Sequence, residues 1–158
     1  MPKKSQLATF DMILSLSIFV IVFGFLIMFF RTNTKNLELN QEYYILEKNA
    51  NFIAETLVKN TGYPPNWQDN VASPDIIGLS SRDRVISQNK FNSFLNMNYS
   101  NAKDIFNIPY EYYFQLSYAN GTLIGKSGNQ ENLTKVVAVK RIVYYENESA
   151  ILLFELKK

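Results

Sequence analysis

Neither histidine nor cysteine occurs in this chain, so imidazole general bases, thiol nucleophiles, disulfides and the usual zinc sites are excluded together. Carboxylates and a Ser–Lys pairing remain as possible chemistry. Lys126-Ser127, in the glycine-bracketed GKSG, reads as a solvated turn rather than a nucleophile beside its base. GKSG also lacks the upstream glycine spacing of a phosphate-binding loop. Asp69, Asp75 and Asp83 do not follow the spacing of an EF-hand loop. The expectation is a protein that is not an enzyme, with no catalytic residues, no cofactor and no metal. Lys and Arg total 16 against 14 Asp and Glu, a net charge of +2 with no basic block, so nucleic acid is not an expected partner.

One carboxylate stands apart. Asp11 sits at the mouth of the longest apolar run, Met12 to Phe30, which is 19 residues without a charge and has only Ser15 and Ser17 as polar members. At 1.5 Å per residue a helix of that length spans about 28 Å, close to the roughly 30 Å hydrocarbon core of a bilayer. The run exceeds the roughly 7–15 apolar residues of a cleaved secretory signal, and Phe29-Phe30-Arg31 follows it instead of a small-residue cleavage site. A retained transmembrane helix is therefore expected. Asp11 has two readings there: a charge resting in the headgroup zone, or a charge that must be paired. Lys3 and Lys4 on one side balance Arg31 and Lys35 on the other, so flanking charge gives little orientation. The N-x-[ST] acceptor motif occurs at Asn98, Asn120, Asn132 and Asn147, all after the apolar run. With 18 Asn, 12 Ser and 7 Thr, about two matches arise by chance, so four is a mild excess favouring an outside C-terminal part with glycosylation sites.

These residues need elements to hold them. After TNTKN, whose poor helix formers leave room for a kink or short break, Leu39, Tyr43, Leu46, Ala50, Ile53 and Leu57 recur at spacings of four and three, forming one apolar helix stripe. The stripe packs on its own globular part or on other copies. Asn60-Thr61-Gly62 and Pro64-Pro65 end it, so one helix from about Leu7 to Lys59 is expected. Residues 62–85 read as loop with small elements, and Trp67 as a plug at the core edge. Ser87 and Ser100 are expected to cap two short helices, the second ending before Pro109. Tyr112, Phe114, Leu116 and Tyr118 alternate with polar positions as a strand, and Asn120-Gly121 predicts a two-residue hairpin turn with positive φ at both positions. GKSGNQEN reads as a loop. Val136 to Tyr145, apolar on both faces, predicts a covered central strand, and Ala150 to Leu156 a final one. The fold class is α+β: a long N-terminal helix, transmembrane in its first half, then a small head with short helices and an antiparallel sheet of three to four strands.

A short basic leader, a small residue, glutamine, an acid and then a long apolar helix leading to an α+β head resembles the archaeal type IV pilin-like proteins with a class III signal peptide. Lys3-Lys4-Ser5-Gln6, Asp11 and Met12–Phe30 carry the likeness, with a fainter echo in GYPPNW and IIGL. Serine stands at position 5 where the family more often has glycine, and the acid is aspartate one place later than the family's usual glutamate. The resemblance implies that a membrane prepilin peptidase cuts between Ser5 and Gln6 on the cytoplasmic side, giving a leader (1–5), a transmembrane and filament-core helix (6–35) and an extracellular head (36–158). It implies assembly through Gln6, Asp11, Ser17 and Gly24, with the Asp11 carboxylate pairing with the freed amino group of a neighbour's Gln6. Expected partners are the membrane, the peptidase and other copies or related pilins. The expected location is the cell membrane, single-pass with the N-terminus inside, and afterwards a surface filament. The competing expectation is a single-pass, membrane-anchored extracellular binding module that does not polymerise.

Overall fold

The structure, a computed structural model, describes residues 3–69, 74–131 and 134–158, with side chains described outside 3–9 and 33–40. The chain divides into two compact units, Met1–Glu42 and Tyr43–Lys158. Helix α1 (Lys3–Lys59) is assigned without interruption, so the polar TNTKN stretch does not break it. The first unit is the N-terminal part of that helix.

The second unit is α+β. It opens with the last turns of α1, from Tyr43, followed by a 3-10 turn (Trp67–Asp69), β1 (Ser80–Arg82), β2 (Val85–Ile86), α2 (Gln88–Asn96), α3 (Tyr99–Phe106), β3 (Glu111–Tyr118), β4 (Leu123–Gly128), β5 (Val136–Tyr145) and β6 (Glu148–Lys157). The four long strands pair antiparallel, as their alternation and turns predict. The sheet is larger than the expected three to four strands, because β1 and β2 extend it to six in the order β1-β2-β5-β6-β3-β4. β2 runs parallel to β5, with Val85 opposite Tyr144, so the sheet is mixed. These two strands have only three and two residues, and β2 reaches the sheet through a segment almost sixty positions away, so they leave no periodic trace.

One face of the sheet carries the core. Tyr112, Phe114 and Leu116 from β3, Leu152, Phe154 and Leu156 from β6, and Val139 and Val143 from β5 are buried on it. α1 closes part of this face with Leu46, Ala50, Ile53, Ala54, Leu57 and Val58, which settles the packing of that half of the stripe on its own unit. Tyr43 lies half-exposed, and Leu39 lies where side chains are not described. Arg141 sits on the same sheet face and donates to Glu55 at 2.7 Å and to Asn51 at 2.8 Å, tying β5 to α1. α2 and α3 supply Phe91, Phe94 and Phe106. Phe94 meets Phe114 edge-on at 5.1 Å, and Phe106 meets Tyr112 at 5.3 Å in the same manner. Trp67 is fully buried, and its indole N–H donates to the Gly78 carbonyl at 2.9 Å.

Several local expectations are corrected. Ser87 precedes α2 but makes no side-chain cap bond. The cap of α3 is Asn98, whose Oδ1 accepts from the Ser100 N–H at 2.9 Å, so Ser100 is the donor and not the cap. GKSG lies in β4, not in a loop. Gly125 gives room there to Leu95 and Phe91, which pack over the strand and whose outer atoms would lie 2.7 Å from a Cβ. At Asn120-Gly121 only Gly121 has positive φ. Tyr118 N–H donates to the Thr122 carbonyl and Gly121 N–H to the Tyr118 carbonyl, each at 2.9 Å, giving a three-residue loop with glycine in the left-handed position. β5 has hydrogen-bonded neighbours on both edges, but its second face is open: Ile142 is 70% and Tyr144 53% exposed.

Ionisation of the aromatic core ties stability to pH. Burial, together with the hydrogen bond to Glu111, holds the Tyr99 phenol well above the ordinary range. Burial also raises Tyr112 and Tyr145. A phenol raised in the folded state contributes stability that is complete below its unfolded pKa of about 10 and lost as pH climbs through the folded value. Lys90, buried with its ammonium donating to the Thr61 carbonyl at 2.5 Å, is shifted down by burial and acts oppositely, so folding gains as pH approaches 10.5. The urea midpoint should therefore hold or rise slightly toward pH 10 and fall steeply above it. Tyr112→Phe should flatten the fall, and an unchanged pH profile in that variant would refute this account.

A candidate assembly and membrane helix

Phe10–Thr32 is the part of α1 long and apolar enough to cross a membrane, and none of its residues is buried within the chain. Such a helix follows from composition, because no proline interrupts it and apolar residues, phenylalanine and isoleucine foremost, fill it almost throughout. Its hydroxyls are satisfied internally. Ser15 donates to the Asp11 carbonyl at 2.7 Å, Ser17 to the Ile13 carbonyl at 2.8 Å and Thr32 to the Met28 carbonyl at 2.9 Å. Hydrocarbon offers no hydrogen-bond partners, so these back-bonds remove the penalty the hydroxyls would otherwise carry.

The expected assembly residues fall as follows. Asp11 is exposed, and its carboxylate has no hydrogen-bond or ion-pair partner among the described residues. Ser17 and Gly24 are seven positions apart and so share one helix face. A Cβ at Gly24 would meet nothing within 4 Å, leaving the backbone open to close approach. Ser5 and Gln6 have their backbone in α1, but their side chains lie outside the described residues. Asn98, Asn120 and Asn147 are exposed, at the α3 cap, the β3–β4 turn and the β5–β6 turn respectively, whereas Asn132 lies outside the described residues.

The second unit adds apolar surface that the stripe analysis missed. Phe52 is 71% exposed beside a cleft of about 250 Å³, which Ile53, Ile77 and Phe106 also line. Tyr44, Tyr63 and Tyr144 are each more than half exposed, while Tyr112 and Tyr145 belong to the core. The periodicity sets Phe52 off the buried stripe, and that was the available signal. Among the described residues, no three Asp or Glu side chains gather as metal ligands would.

No family model and no solved structure matches the chain. It is 26% identical over 166 aligned positions to an uncharacterized protein of the archaeon Archaeoglobus fulgidus, an alignment covering 89% of this chain and 85% of the relative.

Proposed function

We propose that this protein is a pilin-like structural subunit of an archaeal type IV pilus-like surface filament, assembled through its N-terminal helix. The observation that carries the reading is the bare span Phe10–Thr32, every face of which needs a covering. A bilayer supplies one before assembly, with the N-terminus inside, and other copies supply it afterwards. Packing between apolar helices relies on close van der Waals contact, which suits the open face at Ser17 and Gly24. A contact that does not close on itself then propagates subunits into a fibre. The α+β unit is carried on the outside, where its exposed tyrosines serve adhesion. The relative from an archaeon agrees with this setting.

The exposed Phe52 cleft favours a second reading, a single-pass anchored module whose outer part binds a partner without polymerising. N-terminal sequencing separates the two. Coexpression with an archaeal prepilin peptidase should yield a chain beginning at Gln6. An intact Met1, with the peptidase active on a control substrate, would favour the anchored module.

A further inference from the structure

Of the four acceptor motifs, the three within the described residues have very different surroundings. We infer that, of the three acceptor motifs within the described residues, Asn120 is the one glycosylated, and that Asn98 and Asn147 are poor acceptors once the chain has folded. The inference rests on the proposed reading in so far as residues beyond the apolar span lie outside the cell.

The reaction is transfer of an oligosaccharide from a lipid-phosphate donor. The asparagine Nδ2 forms a bond to C1 of the first sugar as the bond from C1 to the phosphate oxygen breaks. The lipid phosphate leaves with the electron pair, Nδ2 releases one proton, and nothing is oxidised or reduced. The acceptor therefore needs a free Nδ2, an accessible hydroxyl two residues on, and backbone that detaches locally at low cost.

Asn120 meets all three conditions. Residues 119–123 are exposed without a break. The Asn120 Oδ1 accepts from the Thr122 N–H at 2.9 Å, while Nδ2 has no partner among the described residues. A sugar on Nδ2 keeps the carbonyl and hence that bond. Gly121, at φ +90°, has open space around it.

The other two motifs are built into the fold. Asn98 caps α3, and the next residue, Tyr99, stacks on Tyr112 at 4.8 Å and hydrogen-bonds Glu111. Presenting that motif means unwinding α3 and withdrawing Tyr99. Asn147 has φ +66°, and its hydroxyl residue Ser149 lies in β6 opposite Tyr144, with its carbonyl accepting from Ala119 at 3.1 Å. Presenting it means peeling a strand that is paired on both edges.

The test uses the full chain carrying Asn132→Gln, in detergent, with an archaeal oligosaccharyltransferase and its lipid-linked oligosaccharide. A synthetic peptide spanning 117–125 serves as the enzyme control. Peptide mass mapping should show Asn120 modified about tenfold or more faster than Asn98 or Asn147, in line with their different costs of local opening. Thr122→Ala should abolish the adduct while leaving the turn's backbone bonds intact. No adduct at Asn120, or equal rates at Asn98 or Asn147, would overturn the inference. Detergent has no inside or outside, so this result is independent of orientation. A chain modified in detergent but bare when isolated from archaeal cells with active glycosylation would instead refute the outside placement.

Discussion

Phe114→Ala should destabilise the second unit by about 3–5 kcal/mol, enough to leave a marginal fold of about 5–15 kcal/mol largely spent. Phe114 is fully buried on β3 and touches Phe91 at 6.2 Å and Phe94 at 5.1 Å between ring centres. Across the ladder it stands opposite Phe154, so its loss opens a void where α2 meets two strands. The loss comprises both the transfer free energy of the ring and a cavity that this rigid junction cannot collapse to fill. With a urea slope near 2 kcal/mol/M, the midpoint of the full chain in mild detergent should fall by roughly 2 M. Ile142→Ala is the control. Ile142 faces away from the core at 70% exposure, and its replacement should stay within about 0.5 kcal/mol. Equal losses in the two variants would mean that both faces of the sheet are covered.

That contrast also shows where the sequence was legible. The two-residue alternation in Glu111–Tyr118 places Phe114 inward, and the three–four spacing of Leu46, Ala50, Ile53 and Leu57 places α1 on the core, because both signals arise within one element. β5 misleads. Ile142 and Tyr144 are apolar like Val139 and Val143, and only the placement of α1 and α2 on a single face decides which set is covered. Arg141 reveals the covered face only once Glu55 and Asn51 are seen to receive it. The GKSG stretch fails for the same reason: its glycines look like a loop until Phe91 and Leu95 lie over Gly125. The Asn120-Gly121 turn was visible, but its type depended on the Asn120 side chain binding Thr122. Of the candidate site, the apolar span and its acid are plain in the sequence, since they depend on composition alone. The exposure of Phe52 follows from its place off the buried stripe, but the cleft beside it is not legible, since the elements that line it come from distant parts of the chain.

Asp11→Ala should leave membrane insertion intact and prevent filament assembly. Insertion depends on the apolar run, and removing a charge from its edge only makes that run more apolar. In the proposed filament, assembly differs, because bundling the helices would withdraw both Asp11 and the amino group of a neighbour's processed Gln6 from water. The Asp11 carboxylate has no partner among the described residues of its own chain, so it is free to serve a neighbour. Removing one member of a buried ion pair leaves the other uncompensated, at a cost of about 3–5 kcal/mol. At 1.4 kcal/mol per tenfold, the subunit concentration needed for growth rises roughly a hundredfold to a few thousandfold. Asp11→Asn, which keeps the shape without the charge, should fail similarly, and Asp11→Glu should restore growth at least in part. The readouts are membrane fractionation for insertion and electron microscopy of sheared surface material for filaments. Normal fibres from the alanine variant would show that the carboxylate rests in the headgroup zone and pairs with nothing, and the apolar surface of Phe10–Thr32 would then have to hold the fibre unaided.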